Sequence, residues 1–459
     1  MATPLEKLER AESGLQKSLG PVTLSNIVVA NMIGAGIFTT SGLLLRDLGH
    51  PLLMLALWVL GGLIALCGAL SYGELGAAFP RAGGEYYFLS RLFHPLAGFL
   101  SGWVSFFVGF SAPIAASAVG FSEYLARAFP VLDEPLNLGL TIPPVVIKKA
   151  LAISIILLFT LVHVRGLKPG ARVQNVLTAG KVGLILFLVV VGLASGKGNW
   201  QHLATGDWLP ADFSSLKVIG LSLMWIMFAY SGWNASAYLG SEIKKPRRDL
   251  PLSLLLGTAV VILLYLGLNL LFVYAIPPAE MKGVISVGGL AAGKLLGAGW
   301  EKFVSIMMAF ALFSSLSAFI IIGPRVYYAM ASDKLFFPFA ARVDPLTRVP
   351  ALSIWLQGAI AAIILVSGTF EHILTYMGFS LGIFPVLAVL GVFRLRKLHP
   401  ENLRLPGFPV VQVIYLVVGV GILGLGLLQS PGPSAVAILT VLGGIPAHYF
   451  FKKKYNQGS

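Results

Sequence analysis

Apolar runs long enough to cross a bilayer recur along nearly the whole of this chain, with short polar stretches between them. Twelve are legible, near residues 22–46, 52–78, 97–128, 145–164, 173–194, 216–240, 252–275, 303–330, 350–367, 372–393, 408–428 and 432–450. Their length and apolarity predict helices rather than strands. Two runs are interrupted. The first carries Asn31-Met32-Ile33-Gly34-Ala35-Gly36-Ile37-Phe38, and the sixth carries Phe228-Ala229-Tyr230-Ser231-Gly232-Trp233-Asn234. A helix in lipid must satisfy its own backbone, because each unpaired N–H or C=O costs several kcal/mol. Gly-Ala-Gly invites the backbone to open, which is tolerated only where it lines a cavity or is buried in protein.

Runs 1–5 and 6–10 each begin with an interrupted segment. An odd number of spans per copy forces the second copy to start on the other side of the membrane. Two five-span halves of opposite orientation, each with a broken first helix, are the plan of many secondary transporters. Similarity between the halves is too faint to align, so the repeat rests on topology alone. The expected division is a cytoplasmic N-terminal segment (1–21), a first repeat (22–200), an inverted second repeat (201–400), spans 11 and 12 (401–451) and a cytoplasmic tail (452–459). The segment from Met1 to Gly20 is charged and polar, so it does not read as a cleavable signal peptide, and the first span is expected to direct insertion.

Composition agrees: 57% of residues are hydrophobic and only 11% charged, with a mean hydropathy of +0.85, which excludes an ordinary soluble domain. The net charge of +14 would suit nucleic acid, but its distribution argues otherwise. With a cytoplasmic N-terminus, 23 of the 33 Lys and Arg fall on the inside and nine on the outside, leaving Lys181 within a span. That asymmetry is the positive-inside rule. It places both termini in the cytoplasm, and the basic loops are expected to meet anionic lipid head groups rather than nucleic acid. Cys67 is the only cysteine, so no internal disulfide or zinc cluster is expected.

The loops between runs are sharply punctuated. Phe79-Pro80-Arg81-Ala82-Gly83-Gly84-Glu85-Tyr86-Tyr87 ends span 2, Ser241 to Pro251 ends span 6, and Met330 to Pro338 ends span 8. Together with Ile33-Gly34-Ala35-Gly36-Ile37-Phe38, Arg172-Val173-Gln174-Asn175 and the second break, the loop after span 2 resembles the amino acid–polyamine–organocation superfamily, and within it the L-type amino acid transporters. The resemblance covers nearly the whole chain. It implies an all-α, twelve-span, LeuT-type fold with spans 11 and 12 outside the repeat. Animal members join a heavy chain through a cysteine between spans 3 and 4. The stretch Arg127 to Lys149 has no cysteine, so no disulfide-linked heavy chain is expected, the likeness is to the shorter prokaryotic forms, and a monomer is expected.

A free amino acid carries a carboxylate and an ammonium, and a site at mid-membrane must replace the water around both. The second half of span 1 would start with free N–H groups and the positive end of a helix dipole. These physics assign the N–H groups of Ala35, Gly36 and Ile37 to the carboxylate and the C=O groups of Met32 and Ile33 to the amine. The second break offers the carbonyls of Phe228, Ala229 and Ser231 to the same amine. The bland alternative is that these glycines only allow tight helix packing; two breaks at matched positions favour the site. The resemblance implies that Phe228 closes over the substrate as a gate, against an ordinary core or lipid-facing role for one of 29 phenylalanines. Lys181 lies nine residues past Arg172, about 13 Å along a helix. Ionisable groups at such depth default to function, although a lysine stem can snorkel. The resemblance implies that this lysine takes the place of a sodium ion and couples spans 1, 5 and 8.

Gly109, Ala112, Pro113 and Ala116 leave room on span 3, and Ser314, Ser315, Ser317 and Phe319 face it from span 8. No acidic residue stands in spans 1, 3, 6 or 8 near the breaks, so neutral amino acids fit best. The expected function is sodium-independent movement of neutral L-amino acids across the cytoplasmic membrane by alternating access, as an exchanger. The rivals are a proton-coupled symporter, with a cationic or broad substrate range, and an ion channel, which would need a polar stripe or charged ring. No nucleophile–base pair, metal cluster or phosphate loop is evident, so neither an enzyme nor a cofactor is expected.

Overall fold

The computed structural model describes residues 19–81, 83–137, 141–165, 170–342, 344 and 349–456. The expected N-terminal segment lies outside these residues through residue 18, as do Ala82, Lys168, Arg348 and the last three residues of the tail. The described chain is helical almost throughout. In order it forms α1 (Pro21–Met32), α2 (Ala35–Thr39), α3 (Ser41–Leu48), α4 (Pro51–Ala78), α5 (Glu85–Leu92), α6 (Pro95–Val104) and α7 (Ser111–Ala128). There follow α8 (Pro144–Val164), α9 (Gly170–Ala194), α10 (Phe213–Ala229), α11 (Pro246–Ala275), α12 (Pro278–Met281) and α13 (Val287–Leu296). The chain closes with α14 (Ala298–Ser332), α15 (Ala351–Ser367), α16 (Phe370–Leu398), α17 (Val410–Gln429) and α18 (Pro431–Asn456). A two-residue hairpin, β1 (Leu136–Asn137) with β2 (Thr141–Ile142), joins α7 to α8.

Every expected apolar run carries α-helix, interrupted in the first and ended at Ala229 in the sixth. Among the described residues, nine helices are long and apolar enough to cross a membrane, and Thr178–Ala194, Phe213–Ala229 and Ala351–Ser367 are shorter apolar helices on the remaining runs. Proline opens many of them, including α1, α4, α6, α8, α11 and α18, where its missing N–H is no loss. Two histidines serve as caps: Nδ1 of His50 accepts from the Leu52 N–H at 3.2 Å, and Nδ1 of His94 from the Leu96 N–H at 3.1 Å. Asp212 caps α10 by accepting from the Ser215 N–H at 2.8 Å. Helices close through small residues, as membrane helices do: a Cβ on Gly257 of α11 would stand 2.6 Å from the Cβ of Val28 in α1.

Two departures from regular helix lie along the third and sixth runs. Between α6 and α7, Ser105–Gly109 forms a π-turn, one of the single-turn irregularities that cluster at functional sites. After α10 the helix does not resume. Residues 230–243 run through turns and two short 3-10 helices, Ala235–Tyr238 and Gly240–Glu242. Gly232, at φ +96°, departs from helical geometry at the start of this segment, and near its end a Cβ on Gly240 would meet the Arg81 backbone at 2.6 Å. This segment ends by pairing with the entry to α1: the Leu19 N–H donates to the Glu242 carbonyl and the Lys244 N–H to the Leu19 carbonyl, each at 3.0 Å.

One buried ion pair ties α4 to α16. Arg396 donates from Nε and Nη2 to the two carboxylate oxygens of Glu74, each at 2.7 Å, and the Leu405 N–H adds a third bond at 3.2 Å. The Glu74 side chain is only 1% exposed, so removing its partner strands a buried charge. Arg396→Ala is therefore expected to destabilise the protein by about 3–5 kcal/mol, read as a lower melting temperature in detergent, with Arg396→Lys intermediate because it loses the bidentate geometry. An unchanged melting temperature in Arg396→Ala would contradict this role.

Candidate functional site

The two interruptions meet. Helix α1 stops at Met32, Ile33 and Gly34 are extended, and α2 restarts at Ala35. Gly36 lies so close to α10 that a Cβ there would stand 2.4 Å from the Ala229 Cα. From the other side Gly232, at φ +96°, leans on Asn31, where a Cβ would approach the backbone to 2.9 Å. Each break presses a glycine against the backbone of the other. Glycine is required at both contacts: at Gly36 by the close approach and at Gly232 by the positive φ as well.

Opening a helix frees carbonyls, and three side chains collect them. Lys181 of α9 is 1% exposed, and its ammonium donates to the carbonyls of Ala30 at 2.8 Å and Ile33 at 2.6 Å. The Ser315 hydroxyl of α14 reaches the same Ile33 oxygen at 3.2 Å. The Tyr265 hydroxyl of α11 sits between the breaks, 2.6 Å from the Met32 carbonyl and 3.0 Å from that of Ala229. Having one proton, it donates to one of them at a time. The Phe228 carbonyl accepts from the Ser231 N–H at 2.8 Å. Among the described residues, no side chain caps the start of α2 at Gly34.

Against this junction lies a cavity of about 2350 Å³. Of the residues expected at a site, Gly109, Pro113, Phe228 and Ser231 line it, with Phe319 opposite and Ala30 and Asn31 from α1. Met32, Ile33, Ala35, Gly36, Ile37, Ala229 and Lys181 are buried where the breaks meet. Ala112 and Ala116 are buried in α7. The structure thus brings both groups together in two roles, with wall residues facing the space and backbone groups packed beside it. The cavity continues past Asn234 and Tyr238 to the end of the bundle that holds Leu19, Arg81, Glu85 and Asp333. There the Tyr86 hydroxyl donates to Asp333 at 2.6 Å; burial raises the Asp333 carboxyl above its ordinary range, and this bond pulls it partly back. The opposite end is tied by contacts rather than space. Arg46 of α3 makes a bidentate pair with Glu371 of α16 at 2.8 and 3.1 Å, Ser41 donates to Asn269 at 2.7 Å, and the Tyr124 hydroxyl to the Phe38 carbonyl at 2.5 Å.

Sequence reasoning passed over Tyr265, Phe110 and the π-turn that sets Ser105 and Gly109 on the cavity wall. Tyr265 had a signal, because a tyrosine inside an apolar helix needs a partner for its hydroxyl. Near the junction the cavity wall is largely apolar, with Phe228, Phe319, Pro113 and Ile422 beside the Ser231 and Asn31 side chains.

Residues 19–445 match a family described as amino acid permease. The chain is 29% identical to the serine/threonine exchanger SteT of Bacillus subtilis (strain 168), covering 96% of this chain and 98% of that protein. It is also 29% identical to the Asc-type amino acid transporter 1 of Mus musculus, over 95% of this chain and 81% of that one. The large neutral amino acids transporter small subunit 2 of Oryctolagus cuniculus is 29% identical over 97% and 83% of the respective chains.

The glycine contacts generate a contrast that mutagenesis can read. Gly36→Val drives side-chain atoms into the Ala229 backbone and should abolish amino acid uptake into proteoliposomes while the protein remains monodisperse. Gly34→Ala, whose Cβ would only touch the Ser315 hydroxyl at an ordinary 3.5 Å, should keep substantial uptake. Equal activity in the two variants would show that the contact between the breaks is unimportant.

Proposed function

The chain belongs to the amino acid permease family, and from that premise we propose that it is a secondary active transporter that exchanges small neutral L-amino acids across the cytoplasmic membrane, without sodium, by alternating access. The observation that carries this reading is the meeting of two broken helices beside a cavity whose lining runs on to Leu19, Arg81 and Asp333 at one end of the bundle. The proposed membrane arrangement is twelve spans in a LeuT-type plan, with two inverted five-span repeats, two extra spans and both termini in the cytoplasm. With that orientation the cavity opens inward, and the Arg46–Glu371 pair and the Tyr124 and Ser41 bonds lie on the closed outer side.

The proposed binding mode follows from which backbone groups have capacity. The N–H groups of Ala35, Gly36 and Ile37 receive the substrate carboxylate. The Ile33 carbonyl already accepts from Lys181 and Ser315, which fills both its lone pairs. The substrate ammonium therefore falls mainly to the Met32 carbonyl and to those of Phe228, Ala229 and Ser231, with Tyr265 yielding one of its two acceptors. Phe228, at the edge of the cavity and 6% exposed, acts as the gate. Gly109 and Pro113 set the size of the side-chain space. Lys181 fixes a positive charge between α1 and α9, and through the shared Ile33 oxygen it reaches α14, so loss of the ammonium uncouples elements that must move together. Membrane lipid and the amino acid are the proposed partners. The lone cysteine, Cys67, lies inside α4, which supports action without a disulfide-linked subunit, as a monomer.

Exchange of labelled amino acid between proteoliposomes and medium tests the whole reading. Uptake is expected to need internal amino acid and to be indifferent to replacing sodium with choline; a strict sodium requirement would overturn the role given to Lys181. Lys181→Ala should lower the exchange rate at least about tenfold, the worth of one charge-assisted hydrogen bond, and weaken equilibrium binding less than that.

Selectivity follows from the pocket. Burying a second unpaired charge is expensive, so alanine and serine should outcompete arginine, lysine and glutamate for uptake. If arginine or lysine proved the strongest competitor, the neutral assignment would fall.

A further inference from the structure

The cavity wall holds a buried carboxyl that substrate binding does not use. Glu85 opens α5 with 7% of its surface exposed, and it lines the cavity near the open end. The Tyr72 hydroxyl of α4 and the Asn234 amide of the segment after the second break both donate to its Oε1 at 2.8 Å. The hydroxyls of Tyr238, on that same segment, and Ser101, on α6, complete the shell. Its partners are thus one carboxamide and three hydroxyls, brought from three separate parts of the chain. The approach is close: Gly83 and Gly84 take φ values of +110° and +49°, and a Cβ on Gly84 would stand 2.8 Å from the Tyr238 ring.

This pocket is built to hold a carboxyl in either protonation state. An ionised carboxylate accepts four hydrogen bonds, matching four donors. On protonation a hydroxyl can turn to accept the acid proton, whereas the Asn234 amide nitrogen can only donate. Bonds to the anion are about twice as strong as bonds to the neutral acid, so the charge decides how firmly Asn234 and Tyr238 are held. Those residues follow Ser231 and Gly232 at the substrate cavity directly, Asn234 two residues on and Tyr238 at the end of the short 3-10 helix Ala235–Tyr238.

We propose that Glu85 is a proton-binding site reached from the cavity, and that its ionised form latches the segment after the second break while its protonated form loosens it. The proton comes from cavity water and returns there. Burial pushes the carboxyl above its ordinary 4.5, and the hydrogen bonds from Tyr72, Asn234, Tyr238 and Ser101 pull it part of the way back. The titratable groups that face it are the phenols of Tyr72, Tyr238 and, from α17, Tyr415. Arg81 and Arg91 line the same cavity with their guanidinium groups 5.6 and 5.2 Å from the Tyr87 ring, and Glu242 and Asp333 line it as well. The proton site stands on this geometry alone; its use in the transport cycle rests on the alternating-access reading above.

Infrared difference titration of the purified full chain tests the site. A protonated-carboxyl band should grow in with a midpoint above 4.5 and be missing from Glu85→Gln. Tyr72→Phe removes one donor from the anion, so the midpoint should rise by about one pH unit. The latch is read from Trp233, whose ring packs 4.7 Å from that of Tyr72. The fluorescence lost in Trp233→Phe should shift over the same midpoint in the parent chain and stay flat in Glu85→Gln. If Glu85→Gln does not fold, Glu85→Asp serves instead, with the band kept but its midpoint displaced. Absence of a Glu85-dependent band, or a midpoint indifferent to Tyr72→Phe, overturns the proton site. A Trp233 signal that titrates equally in Glu85→Gln overturns the latch. Failure of the transport reading would show separately, as no uptake by the parent chain at any pH.

Discussion

Backbone hydrogen bonding is the constraint on which the rest of this structure depends. In lipid a helix carries its own partners, and opening it releases carbonyls that water is not there to satisfy. The chain opens twice, at Ile33–Gly34 and after Ala229, and supplies substitutes from three other helices: the ammonium of Lys181, the hydroxyl of Ser315 and the hydroxyl of Tyr265. A lysine buried this deeply would be prohibitive alone. Here carbonyl dipoles solvate it, so the break and the buried charge stabilise one another.

Much of this was legible in the sequence, for a physical reason. Apolar length is a one-dimensional property, so the twelve runs could be read directly, and each carries helix, the first and sixth with the expected interruption. The breaks could be read because glycine at Gly36 and Gly232 is the residue type that a closely approached or positive-φ backbone demands. Lys181 stood out because a cation is rare at that depth. What could not be read depends on which surfaces meet. The π-turn at Ser105–Gly109 has no local signature, and the close approach of Gly240 to the Arg81 backbone joins residues far apart in sequence. Tyr265 and the shell around Glu85 are likewise defined by partners distant in sequence. Phe228 and Ser231 face the cavity while their neighbour Ala229 is buried against Gly36, a distinction that only the packing makes.

The two ends of the bundle differ in kind. One is held by discrete polar contacts, the exposed pair of Arg46 with Glu371 and the buried bond of Ser41 to Asn269. The other is hollow, its walls carrying acidic and basic groups beside aromatic rings. The exposed Arg46–Glu371 pair contributes little by itself, whereas the Ser41–Asn269 bond is buried.

The pairing of Leu19 with the 242–244 stretch acquires a mechanical meaning when set beside the Gly232–Asn31 contact. Helix α1 is fastened near both of its ends to one and the same segment. A rod pinned at two points keeps a single rotational freedom, about the line through the pins. Tilting α1 away from the bundle therefore means shearing the Leu19 backbone bonds or carrying residues 230–243 along as cargo.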